Sequence, residues 1–301
     1  MAVTSKVITL AGMQFLEDDT PDLSGFARVV TNLVGWYDTP KLRTTFTPLP
    51  FGAGDVYAPA YVDQRAITLD GMLITTDPAA LILARRGIGA LCNEPSRLYT
   101  MQVDDEVGSL FCLVQRSSNI LFKSVNGLVS DFSVSLTAPD PRLLDVFLQS
   151  ATTPMAQSGT GGVQWNGPGP GVTGTRWNGP GPAVTGLAYG QPGPSGIVTV
   201  DNTAGTAPAD VLLTIRGPAS NPTVITTLGT IVYGGVLGPN DVLVINTATG
   251  SVLLNGGNRR NLLTRAGFFQ IPAGQALGVS FTADLQNSTA TMTAQWRNSY
   301  L

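Results

Sequence analysis

The sequence predicts a mainly β protein with two β-sandwich domains, the first of which carries one α-helix. Three observations lead to this class. Hydrophobic residues make up 43% of the 301 residues, charged residues make up only 12%, and the chain contains 35 glycines and 21 prolines. Since an average soluble domain has roughly 25% charged residues, a core is available while charge is scarce. The many turn residues indicate short strands joined by tight turns.

Residues 1–150 are predicted to be the first domain, and their pattern is mainly that of strands. Apolar and polar side chains alternate over residues 67–73 and again over residues 132–137. A period of two fits a half-buried sheet. Residues 110–114 are a continuous apolar run of strand length. A Pro-Asp-Pro turn at residues 139–141 ends the second alternating segment.

One helix is predicted in this domain, from Ala79 to about Cys92. Asp77 is placed to cap it, and Pro78 suits the first helical position. We interpret it as a helix that closes one end of the sandwich. Its apolar face comprises Leu81, Ala84, Ile88 and Leu91.

A subunit interface is the second interpretation of this helix. Arg85 and Arg86 flank its apolar face, and we predict that they dock against an acidic loop of a neighbouring subunit, Asp104, Asp105 and Glu106. The scarcity of charge supports burial of the exterior by other subunits, because a free monomer usually stays soluble behind a charged surface. The alternatives are that the acidic loop is an ordinary solvated turn and that the protein is sparsely charged and still soluble.

Residues 151–196 are predicted to be a connector or a protruding loop. A twelve-residue unit that begins Trp-Asn-Gly-Pro-Gly-Pro occurs at Trp165 and again at Trp177. Glycine and proline dominate the segment, so it cannot form a core, and each Asn-Gly favours a tight turn. The alternative is that Trp165 and Trp177 are exposed aromatic plates that contact a sugar or a partner protein.

Residues 197–301 are predicted to be a second sandwich. About seven short apolar segments are separated by turn residues, and none has a helical period. These segments are residues 197–200, 211–215, 224–228, 242–245, 252–254, 279–281 and 289–296.

Several function classes are disfavoured by composition. The chain has no histidine, and its two cysteines, Cys92 and Cys112, are too few for a four-ligand zinc site. We predict two buried thiols, with a bridge between them as the alternative, and we predict no catalytic residues, metal or cofactor.

The charge and hydropathy of the chain bear on its partners and location. A net charge of −3 gives no general attraction to nucleic acid or to anionic membrane. No apolar run reaches the length of a membrane span. The N-terminal segment is a poor secretory signal, so synthesis and folding in a cytoplasm are expected.

Charge also divides the chain at its midpoint. Residues 1–150 contain 11 basic and 16 acidic residues, a net of 11 − 16 = −5, whereas residues 151–301 contain 6 and 4, a net of 6 − 4 = +2. This break indicates two units that meet different neighbours.

Two passages resemble a known family. The first joins residues 65–71, the helix and residues 134–142, and the second is the last sixty residues, which include Phe268 to Gly274 and end Trp-Arg-Asn-Ser-Tyr-Leu. Together they resemble the distal tail proteins (siphovirus tail component family, minor tail protein) of long-tailed bacteriophages.

The resemblance implies a structural virion protein at the distal end of the phage tail and no enzyme activity. The first domain would assemble as a ring, usually of six copies, and the second would be a galectin-like sandwich. The expected partners are the tail tube protein, a tail tip or tail-associated lysin protein, and receptor-binding proteins. The competing hypothesis is a carbohydrate-binding module that adheres to a host glycan. In that case, we expect Trp165 and Trp177 to contribute to sugar binding.

Overall fold

The computed structural model describes residues 6–17, 26–157, 193–285, 287 and 289–301. The chain divides into two compact units, one of Met1–Val146 with Ser299–Leu301 and one of Phe147–Asn298. The division therefore falls four residues before the predicted border at residue 150, because Gln149–Pro154 pairs with Thr291–Trp296 in the second unit. Most of the predicted connector lies outside the described residues.

The first unit contains fourteen described strands and one helix. In chain order these are β1 Val7–Leu10, β2 Met13–Leu16, β3 Phe26–Val34, β4 Leu42–Arg43, β5 Thr47–Pro48, β6 Asp55–Val56, β7 Tyr61–Val62, β8 Arg65–Thr75, α1 Pro78–Gly89, β9 Tyr99–Asp104, β10 Ser109–Arg116, β11 Leu121–Ser124, β12 Val129–Ala138 and β13 Leu143–Asp145, followed at the C-terminus by β27 Ser299–Tyr300.

Ten of these strands form a single sheet that closes on itself. The order is β11-β12-β8-β3-β2-β1-β9-β10-β13-β27, and β10 also pairs with β12. Two residue pairs close the sheet, Gln115 with Thr137 and Arg116 with Leu136. The strands predicted at residues 67–73, 110–114 and 132–137 are confirmed as parts of β8, β10 and β12. Closure lets the alternating apolar side chains of these strands share one core.

The helix packs onto this core through the predicted face. Leu81, Ala84 and Ile88 are buried within α1, and Leu91 is buried just beyond it. The helix ends at Gly89, earlier than predicted, and Cys92 beyond it has a left-handed backbone with φ of 49°. The predicted side-chain cap is wrong: the side chain of Asp77 makes no capping hydrogen bond.

The described residues of the second unit form the other strands and one 3-10 turn. They are β14 Gln149–Pro154, β15 Ile197–Asp201, β16 Val211–Arg216, β17 Ala219–Ser220, β18 Thr223–Ile225, β19 Thr230–Tyr233, β20 Val236–Leu237, β21 Val242–Asn246, β22 Ser251–Leu254, β23 Gly257–Asn258, the turn Arg260–Leu262, β24 Leu263–Ala266, β25 Ala276–Thr282 and β26 Thr291–Trp296.

Two main sheets build this unit. One has the order β14-β26-β16-β21-β22-β23 and the other β15-β25-β18-β19-β24. Along β16, Val211, Leu213 and Ile215 are buried while the residues between them are not. This alternation in both sheets makes one shared core, so the predicted mainly β fold is confirmed. Trp296 is buried in that core, and its indole N–H donates to the carbonyl of Asp201 at 2.6 Å.

Both cysteines are buried as free thiols. Burial raises the pKa of Cys112 to about 12 and also raises the pKa of Cys92. Because the thiolate is the reactive form, we expect neither thiol of the folded protein to react with a disulfide reagent near neutral pH. Both should react after unfolding in guanidinium chloride. Rapid reaction of either thiol in the native protein would contradict this prediction.

Candidate assembly surface

A hairpin extends from the first unit between β3 and β8, and we call residues Lys41–Asp63 the arm. Its base is closed by the backbone N–H of Asp63, which donates to the carbonyl of Lys41 at 2.8 Å. Two short antiparallel pairs follow, β4 with β7 and β5 with β6. Near the tip, the N–H of Leu49 donates to the carbonyl of Gly54 at 3.1 Å. The arm is thus an ordered hairpin that shares no sheet with the rest of the unit.

The arm exposes large apolar side chains. Phe51 is fully exposed, Tyr57 is 89% exposed, Phe46 67% and Tyr61 61%, and four aliphatic side chains are exposed as well: Leu42, Leu49, Val56 and Val62. Single exposed apolar residues are ordinary, but a contiguous patch marks an interaction site. The arm is therefore the candidate functional surface of this unit.

A buried arginine holds the segment just before the arm, residues 35–38, which we call the root of the arm. Arg65, the first residue of β8, is fully buried. Its Nη1 donates to the carbonyls of Gly35, Trp36 and Asp38 at 2.9, 2.9 and 2.7 Å, and its Nε donates to the carbonyl of Pro141 at 2.8 Å. Burial lowers the pKa of Arg65, but a guanidinium stays charged in proteins. A cation therefore ties the segment before the arm to the turn that follows β12.

Backbone geometry fixes the same root. Gly35 has a φ of 84°, and a Cβ at this position would collide with the carbonyl of Ala66, so only glycine fits. Its N–H donates to a carboxylate oxygen of Asp38 at 2.9 Å, and the neighbouring Trp36 is buried in the core. Residues 35–38, just before the arm, are thus held against the unit by both backbone and side-chain contacts.

In the predicted acidic loop, the carboxylates of Asp104 and Asp105 accept hydrogen bonds from groups of the same unit. Asp105 accepts hydrogen bonds from the backbone N–H groups of Val107 and Gly108 at 3.0 and 3.1 Å, and from the Tyr37 hydroxyl at 3.2 Å. Burial and the Asp105 carboxylate raise the pKa of Tyr37 to about 12. Asp104 accepts from Gln102, whereas Glu106 is exposed.

The predicted basic partners lie on the helix. Arg85 is half-buried and donates from Nε to the Ser130 hydroxyl at 3.0 Å, while Arg86 is exposed in the last turn. Within the described part of the chain, no ion pair joins these arginines to the acidic loop, so their contact across subunits stays a prediction. Trp165 and Trp177 lie outside the described residues.

The described part of the second unit exposes one aromatic side chain that could stack on a sugar. Phe147 is exposed, whereas the other described aromatic side chains are buried or half-buried: Tyr233, Phe268, Phe269, Phe281 and Trp296.

The described residues of the chain contain no group of three or more histidine, cysteine or carboxylate side chains that could hold a metal ion. No helix among them is long and apolar enough to cross a bilayer.

The arm is a site that the sequence analysis missed. Its signal is the stretch of residues 37–61, which contains five aromatic residues and four prolines. No alternating or helical period is present there, so neither pattern could place these apolar residues in a core. Large apolar residues that no sequence pattern assigns to a core indicate an intermolecular surface.

Comparison with known proteins finds a family that the second unit is similar to. Residues 204–300 match the family model of the siphovirus-type tail component, C-terminal domain. A comparison with curated proteins finds no match.

Solved structures match over nearly the whole chain. The crystal structure of the Dit protein of phage SPP1, described as a paradigm of hub adsorption apparatus in phages that infect Gram-positive bacteria, aligns with a TM-score of 0.64 and 9% identity. The alignment covers 98% of this chain and 99% of that one. Chains of the phage p2 baseplate in its activated conformation, with Sr and with Ca, align with TM-scores of 0.45 and 0.43, each at 10% identity and 97% coverage of both chains.

At 9% identity, the SPP1 likeness establishes a shared fold. Residues 204–300 match the model of the siphovirus-type tail component C-terminal domain, and the resemblance to distal tail proteins is confirmed.

Proposed function

We propose that this protein is a structural, non-enzymatic hub at the distal end of a phage tail. In this proposal, copies of the first unit form a ring. The family resemblance leads us to expect six copies in that ring. The ring joins the tail tube protein to a tail tip or lysin protein and to receptor-binding proteins. The observation that carries this proposal is the family match of residues 204–300. The full-length likeness in fold to the SPP1 hub protein supports it.

The arm supports self-assembly. Four exposed aromatic side chains, which bury roughly 150–250 Å² each in a contact, give the arm on the order of 600 Å² of aromatic surface. A standard interface buries about 800 Å² per partner, so the arm alone supplies much of what one contact needs. An arm that binds a different surface on the next copy makes a head-to-tail contact, and such contacts form a ring when the rotation from copy to copy closes.

Light scattering after size-exclusion chromatography tests the ring, because it measures the mass of the purified protein in solution. We expect a species near six times the chain mass of 31.4 kDa, and ring-shaped particles in negative stain. A single 31.4 kDa species at every concentration tried, with no rings, would count against the proposed ring. A glycan array run on the same sample tests the carbohydrate-binding alternative, for which the described part of the second unit offers no stacking surface besides Phe147.

A further inference from the structure

A groove lies on the outer face of the first unit, beside β11. Its volume is about 400 Å³, and β3, β8, β11 and β12 contribute its walls. Thr31 lines one side, and the pairing of β3 with β8 shifts register at this residue. Such a bulge bends a strand and re-aims its side chains. The concavity is thus built into the sheet.

The groove combines acidic and apolar groups. Asp70 and Asp131 contribute carboxylates and Lys123 an ammonium group, so the lining has one net negative charge. Leu121, which is 66% exposed, and Met72 contribute the apolar part. These side chains share the outer face, because Asp131 pairs with both Lys123 and Met72 across the sheet. A cation beside an apolar ring would complement this lining.

The strand that borders the groove has a free edge. β11 is the end of the ten-stranded sheet, and among the described residues it pairs with β12 alone. All four of its residues are exposed. An unpaired edge offers backbone N–H and C=O groups that an incoming strand can pair with. The groove and this edge together make a receiving surface for a strand that carries a cation and an aromatic ring.

The arm presents that combination. Arg43 of β4 pairs directly with Tyr61 of β7, so both side chains lie on the same face of the hairpin. Both residues are exposed in the isolated chain, which shows that the arm does not fill the groove of its own unit. A second copy can supply this face to the groove.

We infer that the arm of one copy lies in the β11 groove of the next copy. Arg43 then faces Asp70 and Asp131, and the Tyr61 ring packs on Leu121 and Met72. This inference rests on the proposed ring and names the surface that receives the arm.

Disulfide trapping tests the contact. A chain with Tyr61→Cys and Leu121→Cys is oxidised, and its oligomers are separated without reductant. The matched control combines Tyr61→Cys with Ile82→Cys on the exposed face of α1, because Ile82 is 54% exposed. The native cysteines are buried in both variants. We expect the groove pair to form cross-linked oligomers at least about tenfold faster than the helix pair, as a preference of about 1.4 kcal/mol would give.

Cross-linking that is equal in the two variants, or absent in the groove variant, would overturn the inference. The mass of the wild-type protein in solution tests the proposed ring independently of the docking site. A six-copy mass without groove cross-links removes the docking site and keeps the ring, whereas selective cross-links in a monomeric wild type keep the docking site and remove the stable ring.

Charge reversal gives a second test. Arg43→Asp alone or Asp131→Arg alone should slow the groove cross-link, and the two together should restore it, because the pair is then reversed rather than lost. An unchanged rate in both single variants would contradict the placement of Arg43.

Discussion

Arg65→Met is expected to destabilise the first unit by roughly 3–5 kcal/mol, because several buried carbonyls lose the cationic donor that they share. Four carbonyls lose their donor, those of Gly35, Trp36, Asp38 and Pro141. Each buried unsatisfied group costs about 1–3 kcal/mol. A partial gain opposes this loss, because Nη2 of Arg65 is buried without a partner. The loss is larger, since methionine can donate to none of the four.

Hydrogen exchange followed by mass spectrometry checks this effect, because it resolves the two units. We expect protection to fall over β8 and over residues 35–38 and to stay unchanged in the second unit. Arg65→Lys should lose less, since it keeps the charge but lacks the planar fork that reaches carbonyls in two directions. Arg216→Met is the matched control, because Arg216 is an exposed arginine at the end of β16 in the second unit. Equal exchange in Arg65→Met and wild type would contradict the role given to Arg65.

Much of the fold was predictable because it depends on local periodicity. The alternation over residues 67–73 places Ile67, Leu69 and Leu73 in the core, as observed along β8. The helix was predictable from Pro78 and its apolar face, although its end was not. Cys92 has a left-handed backbone conformation, which cysteine does not favour and which the sequence therefore does not predict.

The root of the arm was not predictable, because its contacts join distant parts of the chain. Arg65 precedes an alternating strand and is unremarkable in the sequence. Its partners lie 27 to 76 residues away, and only the closed sheet brings them together. The same holds for the groove, which combines four strands between Thr31 and Ser133.

The predicted interface residues show a further limit. Asp105 in a polar turn satisfies its own backbone, as aspartates in turns commonly do. Sequence alone does not distinguish this use from an intermolecular ion pair. The exposed aromatic residues of the arm are a stronger sign of assembly, since no local role accounts for Phe51 or Tyr57.

Replacement of Phe46, Phe51 and Tyr57 together by serine is expected to abolish the ring. Alanine-scanning hot spots cost at least about 2 kcal/mol each, which weakens one contact roughly 30-fold for a single residue. Loss of all three aromatic side chains should leave the 31.4 kDa chain as a monomer. Light scattering after size-exclusion chromatography measures this change against the wild type.

Folding should be unaffected by the same three substitutions. The three side chains are mostly or fully exposed, so their removal leaves no cavity, and exposed positions usually change stability by less than about 0.5 kcal/mol. The matched control is Val107→Ser with Leu285→Ser, two apolar residues of high exposure outside the arm, which should keep the wild-type mass. If the triple variant kept the ring, the contact would lie elsewhere on the unit. If it instead unfolded, the arm would be part of the core rather than an outward surface, and the proposal that it joins neighbouring copies would be wrong.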